Sequence, residues 1–200
     1  MKPFFHLLTI KLTGMGQKFC KWAVKAMGWK YTEGEDSMIP EDKAIFLAAP
    51  HTSILDFVIG YLYYRSIGGK LRVMIKKEAF FFPLGPILKA LGGFPIDRSH
   101  PQKMLMSVIH EMEKPGIFHL CICPEGTRKA VHKWKTGYHA IAMHTGAPVY
   151  LGHYDYKTRE FGHGQKVGLS GDARKDTDMI QQKYEDMHLH ALHPEGYVTK

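Results

Sequence analysis

The stretch Ala44-Ile45-Phe46-Leu47-Ala48-Ala49-Pro50-His51-Thr52-Ser53-Ile54-Leu55-Asp56 joins an apolar run to a polar turn and the start of a helix. The run Ala44 to Ala49 is short and almost wholly apolar, which is typical of a buried strand. Ser53 is a good N-cap, and the spacing Ser-x-x-Asp is close to a capping box. The stretch therefore predicts a buried strand, then a loop that contains His51, then a helix from about Ser53.

The same alternation of strand-like and helical segments continues on both sides of this stretch. Strand-like runs bounded by charged or turn residues are Trp29–Glu33, Leu71–Ile75, Ile117–Cys123 and Pro148–Tyr156. Helical segments are Gly85–Leu91, Pro101–Lys114, about Trp134–Gly146 and a carboxyl-terminal helix around Ile180. The glycine-rich residues between Arg159 and Gly171 predict a hairpin. Repeated strand-to-helix alternation predicts one α/β domain with a mixed, largely parallel sheet flanked by helices.

The first 28 residues show a different pattern. From Phe4 to Ala26, apolar residues recur at spacings of three and four, which predicts an amphipathic helix, or a helix pair divided near Gly14 and Gly16. Four lysines fall beside the apolar stripe: Lys11, Lys18, Lys21 and Lys25. Such a helix either anchors the chain at a membrane or packs on its own domain with its lysines in water, and the pattern fits both. We therefore divide the chain into 1–28 and a main domain, 29–200.

The composition limits the partners and the location. The 200 residues carry a formal net charge of +8, which favours nucleic acid, anionic lipid headgroups or phosphorylated substrates. No run approaches the roughly 20 apolar residues that span a bilayer as a helix, and no signal-peptide pattern is evident. Three cysteines do not indicate a disulfide framework. We expect an intracellular protein whose membrane contact, if any, is peripheral.

The first candidate site is the pair His51 and Asp56, which follows the apolar run Ile45 to Ala49. Strand ends are where α/β folds place their sites. On one helix, residues five apart point roughly 140° away from each other, so the two side chains meet only if His51 lies in the loop. Asp56 can then hold one imidazole nitrogen as a donor while the other accepts a proton from a hydroxyl. Alternatively, Asp56 only caps the helix and His51 is incidental.

Two further polar segments also follow extended runs. In Cys123–Lys129, glycine allows close backbone approach to a ligand, threonine supplies a hydroxyl, and arginine matches the geometry of a phosphate. Glu125 in this segment can accept hydrogen bonds from substrate hydroxyls. Gly92–Arg98 ends in an Asp97-Arg98 pair, where Arg98 offers a second phosphate contact. The alternative for both segments is a surface turn with solvated charges.

In this order and at these separations, the segments resemble the lysophospholipid (glycerolipid) acyltransferase superfamily, especially the short bacterial 1-acylglycerol-3-phosphate acyltransferases. The resemblance covers about Ala44 to Tyr156 in four blocks: His51-x4-Asp56, Gly92–Arg98, Pro124–Arg128 and Gly146–Leu151. Pro50 stands where many members have asparagine, and Leu151 stands where the fourth block often has proline. These departures leave the identity of the acyl acceptor open.

The resemblance implies an O-acyltransferase with a glycerolipid acyltransferase-like fold, whose acyltransferase domain is 29–200. It implies that His51 is the general base, that Asp56 is its partner, and that the acyl donor is acyl-CoA or acyl-carrier protein, with no further cofactor. The implied acceptor is a lysophospholipid such as 1-acylglycerol-3-phosphate, and the residues implied to bind it are Lys76, Arg98, Glu125, Gly126, Thr127 and Arg128. The implied location is the cytoplasm, peripheral on the inner face of the cell membrane, on anionic lipid.

Other functions find less support in the residues. Histidines 188, 190 and 193 lie close together and His119, Cys121 and Cys123 alternate on one strand face, but no four-ligand zinc spacing emerges, so we expect no metal. Only the charge favours nucleic acid, and no nucleic-acid-binding motif is present, so we expect none to bind. A different or non-phosphorylated lipid acceptor, or hydrolysis of the thioester, stays open. The sequence does not predict an oligomeric state.

Overall fold

A computed structural model describes 16–97 and 99–198, and within these ranges eight strands form one sheet. The strands are β1 (Lys30–Tyr31), β2 (Lys43–Ala49), β3 (Leu71–Lys76), β4 (Gly93–Ile96), β5 (Phe118–Ile122), β6 (Val149–Asp155), β7 (Glu160–Gly162) and β8 (Lys166–Val167). The helices are α1 (Gln17–Ala26), α2 (Leu55–Ser66), α3 (Leu84–Ala90), α4 (Pro101–Glu113), α5 (Gly137–Thr145) and α6 (Ala173–Asp186). Short 3₁₀ turns occupy Lys77–Ala79 and Pro194–Gly196.

The strand order is β1-β7-β6-β2-β5-β3-β4, and β8 also pairs with β6. β2 runs parallel to both its neighbours, β5 and β6, and the β5–β3 and β3–β4 pairs are also parallel. β7 and β8 run antiparallel to β6. The prediction of an α/β fold with a mixed, largely parallel sheet is therefore confirmed. Since parallel strands share one direction, the loops after β2, β5 and β6 emerge at the same edge of the sheet.

The central strand β2 is buried on both faces, which explains its continuous apolar run. Ile45, Leu47 and Ala49 point into a core that α4, α5 and α6 cover. Ala44 and Phe46 point into a second core on the other face, covered by α1 and α2. The sheet is thus the middle layer of three, and its carboxyl edge is held by packing on both sides.

The hairpin lies earlier than we predicted. The turn is at 156–159, and it joins β6 to β7, while β8 continues along the same side of β6. One glycine assigned to the turn serves close packing instead: at Gly164 the backbone φ is +68°, and a Cβ would lie 1.8 Å from the Leu151 carbonyl oxygen. The connection between β7 and β8 can pass this close to β6 only because residue 164 lacks a side chain.

Helix α1 occupies the described part of the predicted amphipathic segment, and 1–15 lie outside the described residues. α1 buries Cys20 and Val24 in the core shared with α2. Its other face leaves Phe19 and Trp22 exposed by 47% and 64%, beside exposed lysines. The helix therefore packs on its domain and still presents an aromatic, basic face. No helix within the described ranges is both long and apolar enough to cross a bilayer.

Candidate active site

Two of the predicted site segments meet at the carboxyl edge of the sheet. His51 follows β2 and Glu125 follows β5, and these strands are parallel neighbours. The backbone N–H of His51 donates to Glu125 Oε1 over 2.8 Å. This bond joins the first and second candidate segments across 74 residues of sequence.

His51 and Asp56 are in contact, because α2 begins only at Leu55 and leaves His51 in the preceding loop. His51 Nδ1 lies 3.2 Å from Asp56 Oδ2. The same oxygen accepts the backbone N–H groups of Thr52 and Ser53 over 2.7 Å each. Asp56 thus reaches back to the loop and holds the histidine. The N-cap of α2 is Ile54 rather than the predicted Ser53, whose Oγ accepts the Leu55 N–H over 3.2 Å.

The hydrogen bonds fix the chemical state of the pair. Burial raises the pKa of Asp56, but hydrogen bonds from His51, Ser53, Tyr156 and Thr52 outweigh this, so the pKa lies below its ordinary value. Because an ionised carboxylate only accepts, His51 Nδ1 must donate to it. Nε2 is then the ring nitrogen whose lone pair can take a proton. The side chain of His51 is 21% exposed and that of Asp56 2%, so the carboxylate is buried while the histidine reaches the surface.

Glu125, which contacts this loop, is buried, with 4% of its surface exposed. Burial raises the pKa of its carboxyl to about 7, although the His51 N–H group lowers it in part. Its Oε1 is used by His51, whereas Oε2 has no hydrogen-bond partner among the described residues. Because this carboxyl group is buried, the contact of Glu125 with a substrate hydroxyl stays a prediction.

The rest of the second segment forms a tight turn. Gly126 has a φ of +70°, and its N–H donates to the Cys123 carbonyl over 3.0 Å. Thr127 Oγ1 accepts the N–H of Lys129 over 3.2 Å, so the hydroxyl orders the turn as well as facing outwards. This turn projects Arg128 to the surface.

Arg128 lines a cavity of about 390 Å³ beside the His51 loop. The other lining residues are Thr52, Lys129, Ala130, His193, Glu195 and Gly196. The 3₁₀ turn Pro194–Gly196 closes one side, and the His193 N–H donates to Thr52 Oγ1 over 3.2 Å. The cavity is therefore built from the loops after β2 and β5 and from the carboxyl-terminal segment.

Among the described residues, Lys76 and Asp97 are not part of this contact network. Lys76 is exposed at the end of β3, which β5 separates from β2, so the β2 and β3 axes lie roughly 10 Å apart. Asp97 accepts a hydrogen bond from Lys77 Nζ over 2.6 Å. Arg98 lies outside the described residues.

Sequence reasoning missed one contact to the pair. Tyr156 Oη donates to Asp56 Oδ1 over 2.7 Å. Tyr156 directly follows β6, the other parallel neighbour of β2. A tyrosine directly after an apolar strand was the available signal. Its hydrogen-bond partner depends on the strand order, which the sequence alone does not show.

One histidine weighed as a metal ligand, His119, has another role in the structure. His119 is buried, and its ring nitrogens bond Tyr64 Oη and the Glu41 carbonyl over 2.6 and 2.7 Å. Across 16–97 and 99–198, no three histidine, cysteine, aspartate or glutamate side chains converge as metal ligands. His119 therefore belongs to the core.

A family model described as Acyltransferase matches residues 31–150, from the end of β1 to the first two residues of β6. The chain belongs to the acyltransferase family. It is an enzyme of that family, which confirms the resemblance drawn from the four blocks. The match includes His51, Asp56 and Glu125.

A solved structure shares the fold of this acyltransferase. It is the 1-acyl-sn-glycerophosphate (LPA) acyltransferase PlsC from Thermotoga maritima, with a TM-score of 0.56 and 17% sequence identity. The similarity covers 96% of this chain and 84% of that chain. No curated protein sequence shows significant similarity to the chain. The predicted glycerolipid acyltransferase-like fold is thereby confirmed.

Proposed function

We propose that this acyltransferase moves a fatty acyl group from a thioester donor, acyl-CoA or acyl-carrier protein, to the hydroxyl of a lysophospholipid such as 1-acylglycerol-3-phosphate. The observation that carries the proposal is the His51–Asp56 contact at 3.2 Å, placed beside a cavity that Arg128 lines. PlsC, which has the same fold, is described as acting on this acceptor. The reaction is a step of phospholipid biosynthesis.

His51 serves as the general base. As the acceptor hydroxyl oxygen attacks the thioester carbonyl, Nε2 of His51 takes its proton, and the Asp56 carboxylate stabilises the imidazolium that forms. The tetrahedral intermediate then expels the thiolate, which takes the proton back from His51. The products are a new ester and a free thiol, and His51 returns to its starting state. No covalent bond to the enzyme is needed.

The cavity beside the His51 loop is the proposed acceptor site. Its volume of about 390 Å³ lies at the lower end of the roughly 300–1,000 Å³ typical of ligand pockets, which suits a headgroup better than a long acyl chain. Arg128 would bind the phosphate as a planar fork, with Lys129 adding positive charge. The other proposed acceptor residues are Lys76, Arg98, Glu125, Gly126 and Thr127.

An apolar surface next to His51 supports a lipid substrate. Ile54, Leu55 and Val58 lie at the start of α2, and each is exposed, with Ile54 at 65%. These three side chains form an apolar surface beside the proposed catalytic histidine, and such a surface offers a path for an acyl chain. We propose that the chain of the donor or acceptor passes over them.

The amino-terminal segment is the proposed membrane contact. Phe19 and Trp22 of α1 are exposed beside basic side chains, a composition that suits the interface of an anionic membrane. We propose that 1–28 hold the enzyme peripherally on the cytoplasmic face of the cell membrane, and that 29–200 form the acyltransferase domain. The acceptor hydroxyl would then be reached from the lipid surface.

A panel of substrates tests this proposal. The purified chain is incubated with lysophosphatidic acid, glycerol 3-phosphate or a non-phosphorylated lysolipid, each with acyl-CoA and with acyl-carrier protein, and products are analysed by lipid mass spectrometry. We expect phosphatidic acid from lysophosphatidic acid with at least one donor. Loss of thioester without a lipid product would indicate a hydrolase, and preference for a non-phosphorylated acceptor would contradict the phosphate site.

A further inference from the structure

Tyr156 lies beyond the last of the four sequence blocks, Gly146–Leu151, at the carboxyl end of the strand that this block begins. It directly follows β6, the parallel neighbour of β2, so its side chain emerges at the edge that carries His51. Its Oη donates to Asp56 Oδ1 over 2.7 Å, although the two residues are 100 positions apart in the chain. The contact therefore exists only because of the strand order.

The two oxygens of Asp56 are bound from different directions. Oδ2 accepts from Thr52 N, Ser53 N and His51 Nδ1, all within the loop. Within the described part of the chain, Oδ1 accepts from Tyr156. Since Asp56 is almost fully buried, loss of this donor would leave a charged oxygen without a partner and would free the carboxylate to turn.

Tyr156 is itself held from two sides. Its backbone N–H donates to the His190 carbonyl over 2.9 Å. Its ring meets the ring of Trp29 edge to face, with centroids 5.3 Å apart, and Trp29 stacks on Phe161 at 5.4 Å. A hydroxyl held in this way acts as a fixed donor rather than a rotating one.

We propose that Tyr156 is a positioning residue, whose hydroxyl fixes the Asp56 carboxylate so that Oδ2 faces His51 Nδ1 and orients the imidazole. The proposal rests on the proposed function of His51 as general base. In this role Tyr156 acts on the reaction through Asp56. Its loss should therefore lower the rate of the chemical step and leave substrate binding unchanged.

The kinetic test compares Tyr156→Phe with Tyr150→Phe. Tyr150 also donates to a carboxylate, Glu41 Oε2 at 2.8 Å, and lies on the same strand, but near its other end. We expect Tyr156→Phe to lower kcat about tenfold, a part of the 10²–10⁴-fold that a general base contributes, with both KM values within about twofold. Tyr150→Phe should change neither. An unchanged kcat in Tyr156→Phe, or a rise in KM alone, would overturn the proposal.

A second readout needs no substrate. Carbon-13 NMR follows the titration of Asp56, whose carboxyl is faced by His51, Glu125 and the buried Tyr154 as well as Tyr156. Tyr156→Phe removes a hydrogen bond that lowers the pKa of Asp56, so this pKa should rise, whereas Tyr150→Phe should leave it unchanged. An unmoved pKa would overturn the role of Tyr156 whatever the enzyme's substrate is. Absence of transfer by the wild type would instead count against the proposed function.

Discussion

Asp56 and Glu125 are buried carboxyl groups that both contact the His51 loop, yet they respond to pH in opposite ways. Several hydrogen bonds outweigh burial at Asp56 and lower its pKa, whereas burial raises the pKa of Glu125 to about 7. The stability that Asp56 contributes is present above the pKa of an unfolded aspartate and is lost as pH falls through its folded pKa. The contribution of Glu125 is present below the pKa of an unfolded glutamate and is lost as pH rises through about 7.

Glu125→Gln should remove the second of these effects. The amide keeps an oxygen for the His51 N–H and cannot ionise. Between pH 5 and pH 8, the wild type should lose roughly 2 kcal/mol of unfolding free energy relative to the variant, as the shift in pKa implies. Urea unfolding at both pH values measures the difference. Equal pH dependence in the two proteins would show that Glu125 does not ionise in this range.

Arg128→Ala should weaken the acceptor and spare the donor. If Arg128 binds the acceptor phosphate, its loss removes a charge-assisted hydrogen bond and should raise the KM of the phosphorylated acceptor about tenfold. The KM of the acyl donor should change less than about twofold. Lys166→Ala is the matched control, because it also removes one positive charge. Lys166 pairs with Glu41, which precedes β2, whereas the His51 loop follows β2. Similar increases in both KM values would argue against a phosphate role.

The separate contacts of His51 differ in how far the sequence could predict them. The contact with Asp56 depends only on local sequence and on a helix that starts after His51, so it was predictable, although the helix begins two residues later than Ser53 indicated. The contact with Glu125 and the contact of Tyr156 with Asp56 depend on β5 and β6 flanking β2. The sequence places polar residues that follow strands at the carboxyl edge of the sheet, but only the pairing of the strands shows which atoms meet.

Among the elements, those with strong apolar periodicity were predictable and those shaped by close backbone approach were not. β2, α4 and β5 were placed from their patterns to within one or two residues. The segment 159–171 was assigned to a hairpin because of its glycines, whereas Gly164 is required where the chain passes the Leu151 carbonyl. Composition alone does not distinguish a glycine that turns the chain from one that lets two strands pack.

Helix α1 makes a prediction at the scale of an element. Substituting Phe19→Ser and Trp22→Ser together should weaken binding to vesicles that contain anionic lipid about tenfold, because two exposed aromatic groups leave the interface. Binding should also weaken as salt rises. Vesicle flotation over a salt series measures both effects.

Met106→Ser is the control for α1, since Met106 is similarly exposed on α4, which covers the other face of the sheet. It should leave vesicle binding unchanged. Retention on DNA, measured over the same salt series, tests the rival partner. Stronger binding to DNA than to anionic vesicles at physiological salt would contradict the proposed location.

At the scale of the whole molecule, the fold class followed from repeated strand-to-helix alternation, but the strand order did not. The order places β2 between β5 and β6, and so brings together loops that lie 74 and 100 residues apart in sequence. The net charge of +8 predicted an anionic partner without placing it. The structure places Arg128 and Lys129 at the cavity beside the His51 loop and exposed lysines on α1, and these positions support the proposal of a phosphorylated lipid at a membrane surface.

The most direct test of the central claim is acyl transfer to lysophosphatidic acid by the wild type and by His51→Ala, with thermal unfolding of both as the check on folding. The wild type should form phosphatidic acid, and the variant should be slower by at least about 100-fold, since a general base contributes 10²–10⁴-fold. Its midpoint of unfolding should stay close to that of the wild type. A folded His51→Ala variant that transfers the acyl group at the wild-type rate would contradict the account.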